Sequence, residues 1–441
     1  MLETASDQLT RALEAAARTE DKVHAYRHLL EQEARSSAVA ADLNASSSPV
    51  CGWPFAVKEV FDVAGVQTSG GSRAYQDRVA AFDATVVARL RAAGCTLLGT
   101  QIAHELTCGL DLPPTRNPWD LECYPGGSSA GAGVSVAVGS ARFALGTDAA
   151  GSVRIPAAMT GTTGLKPTWG LISSHGVMRE ASAPSIDHVG IIARSAEEIA
   201  QILPVLADPD PWDAATLQPR PGRHDAAGHA DRIAVLGNET LNALSDINPL
   251  DADIKSAFLR SCDVFRQAGA EIVEVELPTL PGAVDAIVTL FAAELSCANA
   301  QAIKKRRDLF APTVADMIET GLAIPADRLK DAVDVRLHLR DELSAAFGSA
   351  GAQFLLTPTT PRPAMPLAEF DPTAELGTLI PFTCGFNLTG NPAISLPSGQ
   401  TKDGLPIGLQ IVGRHFMEAA LLDLASEFQR RTHWHELRPP V

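Results

Sequence analysis

Residues 125 to 152 read PGGSSAGAGVSVAVGSARFALGTDAAGS, a run dense in glycine, alanine and serine. Side chains this small let a helix and a strand pack in close contact. Ser135 to Ser140 reads as such a helix, and Ala141 to Leu145 as a buried strand. A Gly/Ser-rich turn brackets the unit at each end, Gly126 to Gly131 and Gly146 to Ser152. Glycines let backbone N–H groups approach a ligand, and a row of such groups forms a nest for an anion, including the oxyanion of a tetrahedral intermediate. Taken alone, each turn also reads as a flexible loop.

The flanking sequence alternates short apolar strands with helices, which favours a sheet-centred α/β fold. Residues 3 to 44 carry apolar residues at helical spacing and read as helix, ending in a Ser-rich break from Asn44 to Pro49. Phe55-Ala56-Val57 is a short strand. Ala84 to Ala93 is helical, Gly94 is its C′ residue, and Thr96 to Leu98 restarts a strand. Residues 203 to 231, rich in Pro, Asp and His, read as a surface excursion. Residues 249 to 350 are mostly helical with one strand at Glu271 to Val275. The segments 353–358, 393–396 and 406–412 are apolar again and rejoin the sheet, and 418–431 forms a terminal helix. The 441 residues suit roughly three average domains or one large α/β domain with an insertion.

Composition narrows the function. A net charge of −16 argues against a nucleic-acid partner. The one dense basic run, Lys304 to Arg307, reads as a solvated helix face. The 7 cysteines are odd in number and lack a CxxC pair, so neither a disulfide framework nor a structural zinc site is expected. The histidines lack ligand spacing, so no metal is expected. MLETASDQLT has no signal-peptide pattern and no long uncharged apolar stretch follows, so no membrane span is expected and a cytoplasmic location is the default. With 5% aromatics, the core must be built mainly from Ala, Val, Leu and Ile.

Three uses of the turns can be tested. A phosphate loop needs a Lys after the glycines, and none follows. A dinucleotide fingerprint lacks its third glycine. A nucleophile elbow is matched in letter by Gly127-Ser128-Ser129-Ala130-Gly131, but Pro125 spoils the strand that must lead into it. Lys58 supplies a different partner for a serine. It ends an apolar strand, and a buried lysine has a depressed pKa and can act as a general base.

The chain resembles the amidase signature family, the Ser–cis-Ser–Lys hydrolases. The matching segments are GWPFAVKE at 52–59, PGGSSAGAG at 125–133, ALGTDAAGSVRIPA at 144–157 and GLKPTWG at 164–170. They continue with SIDHVG at 185–190, then TPTTP, FNLTGNPAISLP and GLPIGLQIVGR. The resemblance covers about residues 50–200 and 353–430, and the motifs occur in the family's order. It implies an α/β fold with a central mixed, mostly parallel twisted sheet, helices on both faces and a helical insertion. It also implies one domain over 1–441. N-terminal helices would span 1–48, a catalytic core 50–200 and a variable helical excursion about 203–350. Residues 353–431 would then return to the sheet.

Carried over residue by residue, Ser152 would be the nucleophile, Ser128 the proton relay and Lys58 the general base and acid. The peptide Gly127–Ser128 would be cis. The N–H groups of Ala149, Ala150, Gly151 and Ser152 would form the oxyanion hole. Ser129, Thr147, Asp148 and Asp187 would orient the network. Glu59 stands where Asp is common in the family, and Ala150 and Ala130 stand where Gly is common. His104, Cys108 and Cys384 are candidate substrate contacts, Cys384 the better of the two cysteines; the alternative is a helix cap for His104 and small buried side chains for the cysteines.

The activity implied is hydrolysis of the C–N bond of a small amide, aryl, aliphatic or urea-like, with no cofactor, no nucleic acid, no membrane and, at family level, a homodimer. An alternative is the glutaminase subunit of a tRNA-dependent amidotransferase, a branch that often has Gln where this chain has Ile155. A non-catalytic binding protein on the same scaffold is a third reading.

Overall fold

The computed structural model describes residues 3–43, 48–218 and 231–441. The lower part of the Ser-rich break and most of the Pro/Asp/His-rich stretch lie outside these residues. The strands are β1 Tyr26–Leu29, β2 Pro54–Lys58, β3 Thr96–Gln101, β4 Phe143–Thr147, β5 Thr163–Lys166 and β6 Val189–Ala193. They continue with β7 Arg232–Leu236, β8 Glu271–Val275, β9 Phe354–Pro358, β10 Ala393–Gln400 and β11 Pro406–Gly413. All belong to one sheet, in the order β1-β3-β2-β4-β6-β5-β10-β11-β9-β7-β8.

The sheet is mixed and flanked by helices, as expected. The parallel share is smaller than expected. Parallel pairing is confined to β2 with β3 and β4, and β7 with β8 and β9. The other pairs described are antiparallel. Short connections explain this: Lys402-Asp403-Gly404 reverses the chain between β10 and β11, with Gly404 at φ +85°, and a tight turn can join only antiparallel neighbours.

The N-terminal segment is not one continuous helix. Helix Ala5–Val23 ends at His24, which takes a left-handed conformation, and helix Glu31–Leu43 follows. Between them β1 pairs with the edge of β3, and Tyr26 donates its hydroxyl to the Ser140 carbonyl at 2.8 Å. The middle segment also joins the sheet through β7 and β8. Its longest apolar element, helix Ala283–Arg306, has the length and composition of a membrane span but packs against helices Pro312–Leu322 and Ala326–Ala350 with Leu290, Phe291 and Leu295 buried.

Two strands position the chemistry. β2 is buried throughout, and Phe55 stacks on Phe143 of β4 with ring centroids 5.5 Å apart. The parallel register sets Val57 opposite Leu145. Lys58 and Thr147 therefore emerge together at the C-terminal ends of neighbouring strands.

Candidate active site

Lys58 is fully buried. Its Nζ donates to Ser128 Oγ at 2.8 Å and to Thr147 Oγ1 at 3.0 Å. Burial pushes its pKa down to about 8, although Asp187, Asp148 and Glu59 pull it upward. About a tenth of the amine is thus neutral at pH 7, far more than in an ordinary lysine, and a general base requires the neutral form. Glu59 has a structural task beside it. Its carboxylate accepts from Arg27 at 3.0 and 3.3 Å and from the Ala103 N–H at 3.1 Å, which ties β1 to the strand ends.

Glycines bring the two Gly/Ser turns together. A Cβ on Gly146 would lie 2.7 Å from Ser129 Oγ, and one on Gly126 would lie 2.6 Å from Pro156 Cα. Only bare backbones permit that approach. The Ser129 N–H then reaches the Ser152 carbonyl at 3.2 Å, and Ser129 Oγ donates to the Thr147 carbonyl at 3.2 Å. The peptide Gly127–Ser128 is cis. Ser152 is partly exposed, and with Ser128, Ala149 and Ala150 it lines a cavity of about 60 Å³.

Asp148 shapes the second turn. Its fully buried carboxylate accepts from Arg154 in a bidentate pair, at 2.8 and 3.0 Å, and from the N–H groups of Gly151 at 2.8 Å and Val153 at 3.1 Å. Burial alone would raise its pKa, but Arg154 outweighs it and holds the carboxyl well below the usual range. The Gly151 N–H is already given to Asp148, whereas those of Ala149, Ala150 and Ser152 meet no acceptor among the described residues.

Asp187 accepts from the His188 N–H at 3.1 Å, and its Oδ2 has no partner among the described residues. Burial raises its pKa to about 7, opposed by Lys58.

The candidate substrate contacts separate. Cys108 lines the cavity, and burial pushes its thiol pKa well up. Cys384 does not line it. It caps the short helix Gly385–Leu388 from within the core, while its neighbour Thr383 donates to the Ala150 carbonyl at 2.6 Å. His104 also lies off the cavity wall. Its ring sits under Gly127, its Nε2 lies 3.0 Å from the Tyr124 hydroxyl, and its N–H reaches the Ser128 carbonyl at 3.2 Å.

Sequence reasoning passed over Arg154, Asn387 and Gln410. Arg154 is fully buried and donates to the Thr383 carbonyl at 2.9 Å and Gln410 Oε1 at 2.7 Å. Asn387 Nδ2 donates to the Asp148 carbonyl at 2.6 Å. The available signal was a polar residue stranded in each apolar run, Arg154 in SVRIPA and Gln410 in GLQIV.

The family model for Amidase matches residues 7–422, so the chain belongs to the amidase family. It is 36% identical over 473 residues to a glutamyl-tRNA(Gln) amidotransferase subunit of Roseiflexus sp. (strain RS-1), covering 100% of this chain and 96% of that protein. Among solved structures it is similar to the peptide amidase of Stenotrophomonas maltophilia, with a TM-score of 0.84 and 27% identity over 100% of this chain and 95% of that one. It is also similar to a chain from a vestigial protein complex described as revealing the origins of an s-triazine catabolic enzyme. There the TM-score is 0.87 and the identity 28%, over 98% of this chain and 95% of that one.

Proposed function

We propose that this amidohydrolase cleaves an amide with an uncharged, apolar acyl group through an acyl-enzyme on Ser152. The observation that carries the reading is the buried Lys58 amine, 2.8 Å from Ser128 Oγ at the floor of the Ser152 cavity. Ser152 Oγ attacks the carbonyl carbon and passes its proton to Ser128, whose own proton goes to neutral Lys58. The carbonyl oxygen becomes an oxyanion facing the N–H groups of Ala149, Ala150 and Ser152; losing one such donor costs about 100- to 1000-fold in rate. Collapse breaks the C–N bond, and the leaving nitrogen takes the proton from Lys58 through Ser128. Water then attacks the ester by the same relay and releases the carboxylic acid and Ser152.

The cavity supports the substrate class. Beyond the serines its wall includes Ile287, Val288, Phe291, Met317 and Phe370 together with the polar Thr107, Cys108 and Tyr124, and no charged side chain lines it among the described residues. Such a wall favours an apolar acyl group and leaves a free ammonium or carboxylate without a partner.

A second reading is the glutaminase subunit of a tRNA-dependent amidotransferase. The curated relatives back it better than the first, since the amidotransferase subunit of Roseiflexus matches over essentially its whole length. Ile155 and the uncharged cavity weigh against it.

One experiment separates the two. The purified chain is offered a panel of apolar amides and glutamine, with ammonia or amine release as readout, and is checked for a copurifying subunit. Release from apolar amides by the lone chain, lost in Ser152→Ala, supports the first reading. Glutamine hydrolysis that needs a partner supports the second. A serine-reactive probe whose adduct falls on the peptide of Ser129 instead of Ser152 sinks the mechanism.

A further inference from the structure

A second cleft, of about 790 Å³, opens between helix Ala326–Ala350 and the segments 387–391 and 414–416. Its charge runs against that of the chain, whose net charge is −16. Arg336, Arg340 and Arg414 face it, with Asp341 the one carboxylate on its wall among the described residues.

None of the three arginines forms an ion pair within the described residues. Arg340 is exposed and makes no hydrogen bond there. Arg336 donates to Ser185 Oγ at 3.0 Å and to the Ser185 carbonyl at 3.2 Å, while its buried Nε has no partner. Arg414 donates to the Ala352 carbonyl at 3.0 Å, with its guanidinium carbon 5.4 Å from the Phe347 ring centre. The buried Thr389 hydroxyl, also on the wall, is unpartnered. Glu294 acts electrostatically on Arg336, and Arg340 on both Arg336 and His415. Guanidinium groups that face one cleft without ion-pair partners repel one another, and their planar forks match carboxylate and phosphate oxygens.

We infer that this cleft is an anion-binding site, distinct from the Ser152 cavity, that takes a small ligand bearing several oxyanion oxygens, a polycarboxylate or a phosphate ester. The cleft also touches the chemistry, because Asn387 lies on its wall and donates to Asp148.

Titration calorimetry on the full chain at low ionic strength tests this, with inorganic pyrophosphate and citrate as probes. Saturable binding that weakens as NaCl is added is expected. Arg340→Ala should weaken it about tenfold or more, the loss expected for a hydrogen bond to a charged group. Lys304→Ala/Lys305→Ala, in the exposed basic run, should leave it unchanged. Tighter pyrophosphate points to a phosphate ester and tighter citrate to a polycarboxylate. Absence of saturable binding to both probes, or wild-type affinity in Arg340→Ala, overturns the inference. Arg340 makes no structural bond, so this variant should fold even if Arg414→Ala does not.

Discussion

Asp148 and Arg154, six residues apart, form a bidentate ion pair at 2.8 and 3.0 Å with both side chains fully buried. The pair pins the second Gly/Ser turn to β11, because Arg154 continues to Gln410 on that strand and to the Thr383 carbonyl. Removing one member leaves the other charged and unpaired. Arg154→Met should therefore destabilise the protein by roughly 3–5 kcal/mol, read from urea denaturation. Asp148→Asn/Arg154→Met should cost less than the sum of the single changes.

The pair also fixes a pH sensitivity. The folded pKa of Asp148 is depressed, so its stabilisation is present above the ordinary carboxylate value of 3.8 and is lost as pH falls below it. In Arg154→Met the pull that outweighs burial is gone, so this acid-side loss should shrink or vanish, which acid denaturation followed by circular dichroism will show.

Activity should depend on Lys58 in the opposite direction along the scale. In the proposed mechanism the neutral amine is the base, so kcat/KM should rise as pH climbs through about 8 and then level. Asp187 pulls that pKa upward, so Asp187→Asn should shift the rising limb to lower pH. A limb that stays in place would mean that Asp187 does not act on the lysine. Lys58→Ala should lose roughly 100- to 10,000-fold in rate.

How far the site was legible in the sequence follows chain distance. Lys58, Ser128 and Ser152 sit in compact motifs whose glycines and hydroxyls carry their own signal. Thr383, Asn387 and Gln410 reach Asp148, Ala150 and Arg154 from more than two hundred residues away, and only the fold brings them there. The same limit hid β1. Its four residues lie within a helical pattern and become a strand because β3 offers an unpaired edge. The preference for Cys384 over Cys108 is reversed, since both flank the site in sequence and only Cys108 lines the cavity.

The cis turn is sensitive to a single methyl. A Cβ on Gly127 would lie 2.2 Å from His104 Nε2 and 2.6 Å from the Tyr124 hydroxyl, both held in place by their mutual hydrogen bond. Gly127→Ala should displace Ser128 and abolish turnover. Gly139→Ala is the control. That glycine has φ +77° with nothing within 4 Å of a Cβ, so it should cost only about 1–2 kcal/mol and leave activity intact. Comparable loss of turnover in both variants would refute the contact as the cause.

Specificity should answer to the helix that sequence motifs did not cover. Phe291 lies on Ala283–Arg306 and lines the same cavity as Ser152, and it is 9% exposed. Its ring occupies space that a longer acyl chain would need and supplies contact surface for a short one. Phe291→Ala should lower kcat/KM for short acyl amides and raise it for bulky ones. The ratio should change by about 10- to 200-fold, the range that a hydrophobic pocket can discriminate. An acyl-length series measured on both proteins gives the answer. A uniform drop across the series would place Phe291 in the core alone, and would move the search for the acyl pocket to Met317 and Phe370.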